Sequence, residues 1–220
     1  MTLNLNNPIV PYKEFFGRVT EQMPLLIAEG RVPLSVADVL ERRLHSGLPD
    51  WKDNYFFTGD AIVCHPDKKF KIVLDAEPLR TLTSKSNGQN GALVLPDGLY
   101  EDLQGEEFLY KDVKNLLGKD LSQKEILRHP LWRAVAREQG LLEEYVPKMF
   151  EEMKSSFNYD ENMGVYLDLF DDYFNNSPKL KPLGVATLEG RSRLDGRYSL
   201  YSEVGRSVGV VPEALRSSKD

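Results

Sequence analysis

With a single cysteine, Cys64, and only three histidines, His45, His65 and His129, this 220-residue chain is short of the usual covalent and metal staples. One thiol cannot close an intramolecular disulfide. Its place inside an apolar run predicts a small buried hydrophobe in a reducing, cytoplasmic setting. The histidines lie too far apart in sequence for a local zinc motif, and two of them precede a proline, so they read as turn residues. No Gly-x-Ser-x-Gly elbow is present, which removes sequence support for a hydrolase triad. Residues 83–91 are polar and glycine-containing, but they lack the lysine and hydroxyl of a P-loop and lead into a strand, which argues against nucleotide binding there. No apolar run approaches the ~20 residues that cross a bilayer. The first residues show no basic segment followed by an apolar one, so neither a membrane partner nor a secretory signal is expected.

What is present is ordinary globular composition: 41% hydrophobic against 28% charged residues, which argues against wholesale disorder. The length suits one core, and we read residues 1–220 as a single α+β domain with a sub-boundary near 176–182. The net charge of −6 is unevenly placed. Residues 1–96 balance, residues 97–175 carry −9 and residues 176–220 carry +3. An acidic middle beside a basic end either pairs within the molecule or steers an anionic partner to the end.

The fold expected is α+β, with N-terminal helices, a central antiparallel β-hairpin sheet, an acidic helical middle and a C-terminal β-meander. Residues 54–77 organise it. Two apolar runs, 60–65 and 70–75, flank a turn in which Pro66 presets φ and Asp67 suits the next position. A four-residue loop would set His65 opposite Phe70, Val63 opposite Ile72, Ala61 opposite Leu74 and Asp60 opposite Asp75. Before it, helical spacing of Phe15, Phe16, Val19 and Met23 predicts a helix over 12–23, ended by Pro24. Ser35 and Asp38 form a capping box for a second helix, with Arg42 and Arg43 on its solvated side. After the hairpin, residues 83–91 read as a surface loop, and Ser122 with Glu125 caps another helix. Further helical patterns cover 131–137, 142–153 and 161–175. From residue 183 the period changes to two, giving strands near 185–189, 197–202 and 207–211, with Asp195 and Gly196 as a hairpin turn.

Two groups of residues could carry function. Asp60, Asp75 and Glu77 would share one face of the hairpin, where like charges oppose each other until a divalent cation neutralises them. This arrangement resembles the metal-binding hairpin of restriction-endonuclease-like nucleases, an acid on one strand and acid-x-lysine on the next, although Glu77 stands in the lysine position. The resemblance implies a metal-dependent phosphodiesterase using Mg or Mn. At the basic end, Arg191, Arg193, Arg197 and Arg206 interleave with Tyr198 and Tyr201, a pattern in which guanidinium groups grip phosphates and rings stack on bases. Asn158, Asp160 and Asn162 begin like a calcium loop, but Met163 and Leu169 fall where glycine and glutamate are required. Asp168, Asp171 and Asp172 fall on the solvent side of the 161–175 helix. The reading favoured by the sequence is a non-catalytic interaction domain that needs no cofactor. Its macromolecular partner is a protein or a single-stranded nucleic acid, bound through Arg191, Arg193, Arg197, Tyr201 and Arg206.

Overall fold

The computed structural model describes residues 2–6, 11–83, 85–86, 88–169 and 176–212. Its strands are β1 (Tyr12–Phe16), β2 (Val32–Pro33), β3 (Phe56–His65), β4 (Lys69–Val73), β5 (Gly88–Gln89), β6 (Ala92–Val94), β7 (Glu106–Leu109), β8 (Val165–Tyr166), β9 (Lys179–Val185), β10 (Leu194–Asp195) and β11 (Arg206–Val210). The helices are α1 (Val19–Ala28), α2 (Val36–His45), α3 (Asp50–Asp53), α4 (Glu77–Arg80), α5 (Leu99–Asp102), α6 (Tyr110–Val113), α7 (Gln123–Ile126), α8 (Pro130–Ala136) and α9 (Gln139–Phe157). None is long and apolar enough to cross a membrane among the described residues. All the strands belong to one sheet, whose main path runs β1-β11-β3-β9-β10-β8. Helix and strand content thus agree with α+β, but the order of the strands differs from the one the sequence predicts.

β3 is the hub. Its first half meets β11 and its second half meets β4, while β9 runs antiparallel along its other side. Both faces of β3 are buried, because helices cover both. On one face Ile62, Cys64, Phe70 and Ile72 join Trp51, Trp132 and the apolar sides of α2, α8 and α9. On the other, Phe57, Ala61, Val63 and Val73 pack with Val19, Met23 and Leu26 of α1 and with Leu79 and Tyr100. Burial pushes the Cys64 thiol up to about 12, so it stays a neutral packing group.

The hairpin exists, but its register is shifted by one residue. Cys64 pairs with Phe70, Ile62 with Ile72 and Ala61 with Val73. The loop has three residues, not four, because Lys68 adopts a positive φ of 57° and closes the turn one position early. A slip of one residue exchanges the faces, which is why Ile72 packs with Ile62 instead of Val63. Residues 88–94 form a second hairpin, β5–β6, on the Asn90–Gly91 turn, where both residues take positive φ, as an Asn-Gly turn requires.

Other expectations are corrected as well. Tyr12–Phe16 is a strand rather than the start of a helix, since β11 supplies a five-residue antiparallel ladder, and α1 runs through Pro24 to Ala28. Arg43 is fully buried. Its guanidinium donates to the carbonyls of Trp51 and Asn54 and to the Ser192 hydroxyl, all within 3.1 Å. The C-terminal strands form no meander, because β3 separates β9 from β11, and Asp195 lies in β10 instead of a turn. Residues 161–169 are not helical, and the rest of that expected helix, with Asp171 and Asp172, lies outside the described residues. Both capping boxes are present.

Ile72 is 1% exposed at the centre of this core. Ile72→Ala is expected to cost about 2–5 kcal/mol in urea denaturation; a loss under about 1 kcal/mol would remove the hairpin from the centre of the fold.

Candidate functional site

Residues 58–60 leave the regular ladder of β3, where its register with β9 shifts between Phe57 and Ala61. Here Gly59 donates to the Leu34 carbonyl and accepts from the Ala76 N–H, and the Thr58 hydroxyl donates to the Leu183 carbonyl. This irregularity sends the Asp60 side chain inward, fully buried. One of its oxygens accepts the N–H of Val36, the first residue of α2, at 2.7 Å; the other accepts the N–H of Asp75 at 2.9 Å. Arg137 completes the group, its Nη2 standing 3.3 Å from Asp60 and 2.9 Å from the Asp75 carboxylate. Arg80 approaches Asp75 from the other side at 3.5 Å.

Asp60 and Asp75 therefore do come together, but around a guanidinium. Glu77 is exposed at the start of α4. The donor set does not fit Mg or Mn, because Arg137 already occupies the space between the carboxylates, and among the described residues no cluster of three or more acids, histidines or cysteines could hold a metal. Desolvation raises the Asp60 carboxyl from 3.8 to about 6, outweighing the two backbone N–H bonds and Arg137, which pull the other way.

The basic end is arranged by a different carboxylate. Asp120, just before α7, accepts two hydrogen bonds from Arg193 at 2.9 Å and a third from Arg191. Burial alone would raise its carboxyl; the hydrogen bonds from the two arginines prevail and hold it below the usual range. The Tyr166 ring contacts both Arg193 and Arg197, 4.6 and 4.7 Å from their guanidinium carbons, and Arg191 stacks 4.3 Å from Tyr159. Arg197 grips the buried Asp195 through two nitrogens, at 3.0 and 2.6 Å. Beside this cluster is a cavity of about 410 Å³, lined in part by Tyr110, Lys114, Tyr166, Asp168 and Arg197.

Of the arginines named from sequence, Arg191, Arg193 and Arg197 meet around Tyr166 and Asp120. Arg206 pairs with Glu14 across the β1–β11 ladder and stacks 4.8 Å from Phe16. Tyr201 packs its hydroxyl end on Gly88, where a Cβ would lie 1.6 Å from the Tyr201 oxygen, so only glycine fits. Sequence reading missed Asp120, Tyr159 and Tyr166. Asp120 gave a weak signal, as an acid of the middle segment that pairs with the basic end on one of the two readings of the charge asymmetry; the tyrosines gave none.

No family model matches the sequence, and no curated protein matches it. The chain is similar to a solved structure described as the accommodation of massive sequence variation in Nanoarchaeota by the C-type lectin fold, with a TM-score of 0.71 and 17% identity over 94% of this chain and 100% of that one. At that identity the likeness is one of fold.

Two predictions follow from these carboxylates. A carboxyl whose folded-state value is raised contributes stability in full below its unfolded value, near pH 4, and loses it as pH rises through about 6. The stability gap between wild type and Asp60→Asn should therefore narrow from pH 4 to pH 7, by up to about 3 kcal/mol. Urea denaturation across that range measures it, and a constant gap refutes the raised value. Arg197→Glu should cost about 1–3 kcal/mol, because Asp195, 3% exposed, loses its partner and faces a like charge. A melting temperature equal to wild type would mean that the pair does not form in solution.

Proposed function

We propose that this chain is a non-catalytic binding domain that recognises a protein partner through the loop between β10 and β11, together with the arginine–tyrosine cluster beside it. The observation that carries this reading is the concentration of large exposed apolar side chains in that loop: Tyr198 at 40%, Tyr201 at 38% and Val204 at 68%. Such exposure on a braced surface favours recognition. The Tyr198 ring packs 4.8 Å from Tyr55 and 6.0 Å from Phe57, and Tyr201 rests on β5, so little entropy is lost when a partner lands on them.

Electrostatics favours a protein over a single-stranded nucleic acid. Each of Arg191, Arg193, Arg197 and Arg206 already pairs with a carboxylate of this chain. A phosphate would have to compete with Asp120, Asp195 and Glu14, and the released-counterion gain that drives nucleic-acid binding would shrink accordingly. The planar guanidinium faces and tyrosine rings remain suited to the aromatic and arginine-rich centre of a protein interface. The fold is consistent with such a use, since the similar structure's fold accommodates massive sequence variation, and a scaffold of that kind suits recognition by loop side chains.

The test is a random peptide library selected on the wild-type chain and rescreened on the double variant Tyr201→Ala, Val204→Ser. Val204→Ser at so exposed a site usually costs within about 0.5 kcal/mol, Tyr201→Ala also loses the packing on Gly88, and a melting curve of the double variant checks that folding holds. Selected peptides should lose most of their affinity for the variant. Peptides that bind both proteins alike would overturn the assignment, and salt-sensitive micromolar binding of a single-stranded oligonucleotide in fluorescence anisotropy would transfer it to nucleic acid.

A further inference from the structure

Between β7, α8 and the start of α9 lies a polar cavity of about 420 Å³, lined by Glu106, Arg128, Pro130, Arg133, Arg137 and Gln139. None of these residues belongs to the arginine–tyrosine cluster. Three guanidinium groups therefore line one space with one carboxylate, Glu106; since Arg137 is engaged by Asp60 and Asp75, Arg128 and Arg133 against Glu106 leave an excess of one positive charge. The local chain accounts for the convergence. Arg133 projects from α8, Arg137 is the residue at which that helix ends, and Arg128 lies just before it begins. At Arg137 the backbone takes φ 65° and ψ −40°, and the Glu138 N–H bonds the Ala136 carbonyl at 2.7 Å. That is a three-residue γ-turn of the strained, positive-φ hand, and it folds the chain so that Gln139 opens α9 at the same cavity.

The charges are unmatched. Among the described residues neither the Arg128 nor the Arg133 guanidinium has a hydrogen-bond or ion-pair partner, whereas Arg137 is held by Asp60 and Asp75. Glu106 pairs with none of the three. At the start of the 19-residue α9 the N-cap Glu138 makes no side-chain cap bond, so the first N–H groups keep donor capacity, although the Glu138 carboxylate offsets part of the dipole's positive field. Guanidinium forks match phosphate oxygens two at a time, and uncapped helix N–H groups favour the same ligand. A second cavity of about 280 Å³ shares the Glu106 wall and is lined by Ile72, Leu74 and Ala134 with Gln104 and Gly105. It offers an apolar seat beside the charged one.

We infer that this cavity is a binding site for a phosphomonoester, with the dianionic phosphate among Arg128, Arg133 and Arg137 and an apolar or aromatic substituent against Ile72, Leu74 and Ala134. Arg137 is the fixed member, anchored by Asp60 and Asp75, while Arg128 and Arg133 close on the ligand. The site is independent of the protein-binding loop.

The experiment is calorimetric titration of the full chain with phenyl phosphate, inorganic phosphate and phenol at constant ionic strength in chloride. Phenyl phosphate should bind more tightly than inorganic phosphate, and phenol should not bind. Arg128→Gln and Arg133→Gln, both exposed and unpaired, should keep the wild-type melting temperature and each weaken binding about ten-fold, in line with a lost charge-assisted hydrogen bond. Wild-type affinity in Arg133→Gln, or heat from phenyl phosphate that vanishes when chloride is matched, would overturn the site. Absence of binding to wild type at tens of millimolar would overturn it as well.

Discussion

The buried carboxylate of Asp60 is the constraint on which the arrangement of this molecule depends. It ties four segments that are far apart in sequence: β3, the first turn of α2 through Val36, the turn after β4 through Asp75, and the α8–α9 junction through Arg137. Taking a carboxylate out of water is costly, and its rise to about 6 records that the surrounding donors only partly compensate. Such a group contributes more to uniqueness than to stability. An alternative packing of α2 or α8 against the sheet would leave the charge without one of its donors, so the penalty for misassembly is large even where the net gain of the native arrangement is small.

The same view explains what could be read from the chain and what could not. Signals that close within four residues were legible: both capping boxes, Ser35 with Asp38 and Ser122 with Glu125, are where i to i+3 chemistry puts them. The hairpin was legible as a hairpin, while its register turned on Lys68, a residue with no special tendency toward positive φ. Tyr12–Phe16 has apolar residues at helical spacing and became a strand because residues 206–210 pair with it. No local window contains that information. Likewise the nearness of Asp60 and Asp75 followed from their position on the hairpin, but the guanidinium between them arrives from a residue 62 positions beyond Asp75.

The arginines of the basic end illustrate how charge becomes architecture. Asp120 gathers Arg191 and Arg193, Asp195 holds Arg197 and Glu14 holds Arg206, so the positive segment is largely neutralised from within. The guanidinium planes are then fixed over tyrosine or phenylalanine rings instead of sampling solvent. A surface made this way presents flat, oriented groups with little net field. The α8–α9 cavity is built on the opposite plan, since two of its arginines are left without acids.

The position of β11 bears on how the chain can be made. It is the last of the described strands, yet it sits inside the sheet, antiparallel to β1 and parallel to β3. On a ribosome, β1 emerges first and β3 soon after, and each waits for a neighbour that is synthesised more than a hundred residues later. Until then both present open backbone edges, the state in which nascent chains are most prone to wrong pairing and most in need of a chaperone. Assembly of the sheet interior therefore waits until β11 has been made, and its pace is governed by the long loop that must close when that strand inserts.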